Sequence, residues 1–175
     1  MKSLLSIVFA YIYLHAASSL ATLGQTKRIL FIAGEPSHGW NKHEFPAGCE
    51  ILASCLNESG LLVETIVNKG WPKDQATFEN VDAIVIYSDG NDEHVARGKA
   101  KILKSLYHNG VGFAVLHYAL EPGEAALNNF LETAIGGYFK VDWSVNPVWS
   151  LESPSCAKNP INSGIEELKL EDEWY

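Results

Sequence analysis

The chain has 175 residues, 47% of them hydrophobic, and carries 13 Lys+Arg against 21 Asp+Glu for a formal net charge of −8. That is one domain's worth of chain, and its acidic balance argues against a nucleic-acid backbone or an anionic membrane surface as partner, leaving a small neutral or cationic molecule. Only three cysteines occur, Cys49, Cys55 and Cys156, so no disulfide framework holds the domain together.

The first segment reads as an address. Met1-Lys2 is a short basic start, Leu4 to Leu14 are apolar and uncharged, and Ser19-Leu20-Ala21 supplies small residues before a polar stretch. This predicts a secretory signal peptide over residues 1–21, cleaved near Ala21. Its apolar run is too short to span a bilayer. Residues 22–175 then carry 12 Lys+Arg against 21 Asp+Glu, a net −9, with no membrane attachment and a secreted or periplasmic location expected.

Arg28 to Ala33 (RILFIA) is a β-branched apolar run ended by Gly34, the mark of a strand buried on both faces. A polar loop, GEPSHGWNKHEF, follows. Pro46 then suits the first position of a helix, whose inward face would hold Phe45, Cys49, Leu52, Ala53 and Leu56 before Gly60 stops it. Leu61 to Val67 predicts a second strand and Ala83 to Tyr87 a third, closed by Ser88-Asp89-Gly90. Val95, Ile102, Leu103 and Leu106 predict a helix over 93–109, ended by Asn109-Gly110; Val111 to Leu116 is a fourth strand, and a helix over 124–135 follows. Strands alternating with helices imply a parallel sheet. The expected class is an α/β flavodoxin-like three-layer sandwich with a mainly parallel central sheet in the order 2-1-3-4. The chain closes on a strand-like stretch ending in Trp174-Tyr175; two large rings at a free end leave apolar surface uncovered, so a chain truncated at its C-terminus is expected.

In open α/β sheets, ligands bind outside the carboxyl ends of the strands. His38 and His43 lie in the loop after the first strand and His117 directly after the fourth, so one pocket could collect all three. Glu44, or Asp89 after the third strand, could orient an imidazole, and Asp92 would face the same cleft. Imidazole nitrogens and carboxylate oxygens are ordinary ligands for a divalent metal such as zinc, with His38, His43 and His117 as the candidate set. The same groups could instead serve as general acid and base. The structural alternatives are a solvated loop for His38 and His43 and a strand-end histidine bonded to a backbone carbonyl for His117. His94 and His108 are expected on the solvated face of the second helix. Trp40, Trp71, Trp143 and Trp149 fall in predicted loops, which suits stacking on sugar rings and closing a small core equally well.

The stretches ILFIAGEPSHGWNKHEFPAGCEILASCLNESG, NKGWPKDQATFENVDAIVIYSDG, GVGFAVLHYALE, FLETAIGGYFKVDWSVNPVW and IEELKLEDEWY together resemble the ThuA-like (trehalose-utilisation) family, over residues 28–175. The resemblance implies the class I glutamine-amidotransferase-like fold, with His117 in place of the amidotransferase cysteine. None of the three cysteines stands at that elbow, so glutaminase activity is not expected. Two departures stand out. Asn159-Pro160-Ile161 occupies the place of the family's His-Pro-Ile, and family members continue for several strands beyond the Asp-Glu-x-Tyr pattern, here Asp172-Glu173-Trp174-Tyr175. The expectation is an exported domain acting on a sugar or sugar-derived carbonyl through His117, His38, His43, Glu44 and Asp89. Its rival is a non-catalytic carbohydrate-binding or accessory module on the same fold. Three converging imidazoles would favour the enzyme; a tryptophan-lined cleft would favour the module.

Overall fold

The structure, a computed structural model, describes residues 24–152 and 169–174. The predicted signal segment, Cys156 and Asn159-Pro160-Ile161 lie outside them. Four parallel strands, β1 (Lys27–Ala33), β2 (Val63–Lys69), β3 (Ala83–Tyr87) and β4 (Gly112–Leu116), form one sheet in the order β2-β1-β3-β4. The register pairs Leu30 with Ile66 and Ile84, and Ile84 with Phe113.

Because side chains alternate across a strand, the apolar run of β1 feeds two cores at once. Phe31 and Ala33 pack with Phe45, Cys49 and Ala53 of helix α1 (Phe45–Glu58) on one face. Leu30 and Ile32, joined by Ile84 and Ile86 of β3, pack on the other face against Leu103 of α2 (Ala100–His108) and Leu127, Phe130 and Leu131 of α3 (Ala125–Ile135). These are the three layers of a flavodoxin-like sandwich. Pro46 sits in the first turn of α1, and Gly136, at φ 91°, ends α3 in the left-handed conformation that glycine adopts without strain.

Several local expectations change. Leu52 is 40% exposed; the buried stripe of α1 is Phe45, Cys49 and Ala53, with Leu56 packed against it. β2 begins at Val63, since Leu61 and Leu62 are spent climbing from Gly60 to the sheet and stay exposed, while Asn68 and Lys69 extend the strand opposite Ile32 and Ala33. The second helix starts only at Ala100. Residues Asn91–Glu93 form a 3₁₀ turn instead, followed by turns stabilised through His94. Trp149 is not in a loop but in β5 (Val148–Glu152), which pairs antiparallel with β6 (Lys169–Glu173) in a separate two-stranded sheet. Trp71 packs into the core against Phe78. No helix among the described residues is long and apolar enough to cross a membrane.

Candidate functional site

The carboxyl ends of β1, β3 and β4 each deliver one loop to the same place. After β1, Ser37 and His43 form an isolated antiparallel bridge, with the Ser37 N–H donating to the His43 carbonyl at 3.2 Å. The turn between them is tight enough to place His38, Gly39 and Asn41 at positive φ. His38 and His43 are thereby brought ring to ring, 4.2 Å between centroids. After β4, His117 itself takes a left-handed backbone, φ 55°. For a residue with a side chain that conformation costs about 1–2 kcal/mol, and such strain concentrates at functional sites.

The three imidazoles converge. His43 is the hub: its Nε2 lies 3.3 Å from His117 Nε2 and its Nδ1 lies 3.2 Å from Ser37 Oγ. Ser37 Oγ is also 2.9 Å from His38 Nδ1, which in turn stands 3.5 Å from Asp89 Oδ2. Ligand-type atoms of His38, His43 and Asp89 all lie within 4.8 Å of one another. His117 lies outside that group and contacts it at His43. Tyr118 lies among the rings, stacked on His38 at 5.9 Å and tilted against His43 and His117 at 5.3 and 4.5 Å.

Electrostatics keep the central imidazoles neutral. Burial pushes the pKa of His43 and of His117 down, and each is lowered further by a neighbouring imidazole, His38 for the first and His43 for the second. Carboxylates oppose this: Asp89 and Glu173 raise both, and Asp172 raises His117. Both rings therefore offer a lone pair near pH 7. The acidic end of β6 is thus felt at the site, a role for Asp172 and Glu173 that the sequence signalled only as an end motif.

Other sequence candidates fall elsewhere. Glu44 is the N-cap of α1 with no side-chain capping bond, and it is not among the converging atoms. Asp92 is solvent-exposed and pairs with Arg97 Nη1 at 3.1 Å. His94, expected at the surface, is 4% exposed. Its Nε2 donates to the Ala119 carbonyl at 3.0 Å and its Nδ1 accepts from the Ala96 N–H at 3.0 Å. A polar ring is tolerated inside because both its nitrogens are satisfied. His94 therefore clamps the β3 loop to the turn that carries His117. Gly90 belongs to the same clamp, since a Cβ there would meet the Tyr118 and Glu121 carbonyl oxygens at 2.8 Å. His108 is exposed, as expected.

A cavity of about 290 Å³ opens beside the cluster, lined by Gly34, Glu35, Ser37, Asp89, Glu93 and Val95 among others. No tryptophan lines it. Trp40 and Trp143 are 87% and 79% exposed, and Trp149 stacks on Trp174. Cys49 is fully buried on α1 with its thiol pushed up to about 11 by burial, which removes it as a thiolate nucleophile.

A family model described as ThuA, trehalose utilisation, matches residues 28–175. No curated protein and no solved structure matches the chain.

Proposed function

The chain belongs to the ThuA, trehalose-utilisation family, and from that premise we propose that it acts on a sugar or sugar-derived carbonyl at the histidine site. A role in trehalose utilisation or a related carbohydrate pathway follows from the family itself. The observation that carries the finer reading is the 3.3 Å approach of His43 Nε2 to His117 Nε2 at the end of the parallel sheet. A neutral imidazole titrating near physiological pH accepts a proton from a sugar hydroxyl and returns it to a developing oxyanion. His117 and His43 take these roles, and Asp89 beside His38 takes the orienting role for which Glu44 was the alternative. The cavity beside the imidazoles, which meets the cluster at Ser37 and Asp89, holds carboxylate and hydroxyl acceptors for the hydroxyls of a neutral polyol. The convergence of three imidazoles, with the tryptophans elsewhere, supports an enzyme over a non-catalytic carbohydrate-binding module.

The same atoms suit a divalent cation. Two nitrogens each about 2.0–2.1 Å from a tetrahedral zinc stand about 3.3–3.4 Å apart, which is the His43 to His117 spacing. The ligand atoms that all lie within 4.8 Å of one another are those of His38, His43 and Asp89, a second grouping that shares His43 and leaves His117 out. Such an ion would polarise a carbonyl oxygen.

The test is calorimetric binding of zinc, trehalose and carbonyl-bearing sugar derivatives to the unmutated protein and to His117→Ala, with metal content measured on the purified protein. Binding abolished by His117→Ala supports the reading; binding of every ligand unchanged by it refutes it. Export belongs to the same proposal, and a secreted form retaining Met1 by N-terminal sequencing would refute that part.

A further inference from the structure

His94 is a buried titratable group that the proposed chemistry leaves unused, and it lies between two parts of the site. Its neighbours in sequence, Glu93 and Val95, line the cavity, and its Nε2 meets Ala119 in the turn His117–Leu120. We infer that His94 is a pH-sensitive latch: a second proton expels its ring from between the β3 loop and the His117 turn, loosening cavity wall and turn together.

Donor and acceptor inventories leave the buried ring a single form. The Ala119 carbonyl can only accept, so Nε2 carries the proton; the Ala96 N–H can only donate, so Nδ1 presents a lone pair, each bond being 3.0 Å long. A second proton has one place to go, Nδ1, where it meets the Ala96 N–H head on. That bond breaks, and turning the ring cannot mend it, because an imidazolium has two donors and no acceptor. The ring is 4% exposed and its partners Ala96 and Ala119 are fully buried, so water neither satisfies the new N–H nor screens the charge where the ring stands. A buried charge needs a partner or an exit.

Charged groups on the surrounding segments do not supply the partner. Asp92 and Arg97 on its own loop pair with each other at 3.1 Å, Glu93 is exposed, and Lys99 has the same sign as an imidazolium. Glu121 accepts from Asn91 Nδ2, and Glu124, the N-cap of α3, accepts from the Gly98 N–H at 2.8 Å. Burial is the largest influence on His94 and opposes the proton; the Ala119 carbonyl and Glu124 favour it more weakly. The latch therefore stays shut at neutral pH and opens below the ordinary 6.5. The two segments do not part altogether, since the N–H of exposed Asn91 still donates to the Glu121 carbonyl at 2.7 Å.

As a regulator of substrate or metal access the latch rests on the histidine site of the proposed function. The experiment is amide hydrogen exchange with histidine-ring NMR on the metal-free full chain between pH 7.5 and 4.5, which needs no ligand, so a failed binding assay and a failed latch are told apart. If opening restores the ordinary pKa, the opening equilibrium grows about tenfold per pH unit between 6.5 and the folded value. Ala96 protection, corrected for intrinsic rate, should fall by that factor, and Ala96 should exchange faster than Ile32 of the buried β1 throughout, the mark of a local opening. Amide shifts of Glu93, Val95 and Ala119 should move with the midpoint of the His94 ring. His94→Gln, whose side-chain amide can donate to Ala119 and accept from Ala96 without taking up a proton, should hold Ala96 protection level while the other imidazoles still titrate. A His94 ring that stays neutral to pH 4.5 overturns the inference, as does one that titrates with Ala96 still protected. Equal loss of protection in His94→Gln, or Ala96 exchanging only as slowly as Ile32, overturns it too.

Discussion

Replacing His117 separates an imidazole kept for chemistry from one kept for packing, and two substitutions do it better than one. In the structure His117 is half-buried, meets His43 Nε2 at 3.3 Å and holds φ at 55°. Alanine removes the ring contacts with His43 and Tyr118 and the hydrogen bond to His43, the last a net loss of about 0.5–1.5 kcal/mol for a bond whose partner can be rehydrated, and retains the backbone strain. Glycine removes the same contacts but releases about 1 kcal/mol or more of left-handed strain. His117→Gly should therefore melt higher than His117→Ala, since the two lose the same contacts and only glycine releases the strain. For a domain of this size 1 kcal/mol moves the midpoint by about 2–4 °C, so the expected gap between the variants is a few degrees and readable by calorimetry. Both variants should lose zinc or sugar binding. A drop near 10 °C for both, with binding intact, would make His117 a packing residue and refute the reasoning.

His94 carries a pH prediction. Burial holds its pKa below the ordinary 6.5 in the fold, so below that pH the unfolded chain binds more protons than the native one, and stability falls as pH drops from 6.5 towards the folded value. Melting temperatures between pH 7.5 and 5 should decline in this window, and less steeply in His94→Gln; an identical slope in the two proteins would contradict the clamp. Gly90→Ala should cost about 1–3 kcal/mol, because its Cβ meets backbone oxygens that cannot step aside, and should weaken binding by moving the His117 turn, as melting and zinc titration would report. An aromatic-disulfide thiol reagent should label exposed Cys55 and spare buried Cys49 in the native protein, read by peptide mass; with no thiolate at the elbow, ammonia release from glutamine should stay at background.

Sheet and layers were legible in the sequence because buried parallel strands need continuous β-branched runs, and RILFIA, AIVIY and VGFAVL leave few other readings. The strand order followed from the same pattern. His117 was legible as well, as the polar residue at the end of an apolar strand. Helix faces were less so: Leu52 and Leu56 both fit an inward stripe, and only the packing of α1 on the sheet leaves the first exposed and sets the second against the core.

The remaining site residues were decided by tertiary structure. Ser37 and Tyr118 are of residue types too common in polar turns to stand out, and their importance arises only when the β1 and β4 loops meet at the sheet end. His94 looked like a solvated helix residue, yet it is buried because a carbonyl 25 positions along the chain closes over its Nε2. Asp172 and Glu173 act at the site through charge from a strand outside the main sheet. Local sequence determines backbone preference and which faces are apolar. A hydrogen bond or a pKa depends on which polar atoms lie within a few ångströms, and for these residues those atoms come from distant segments that only folding brings together.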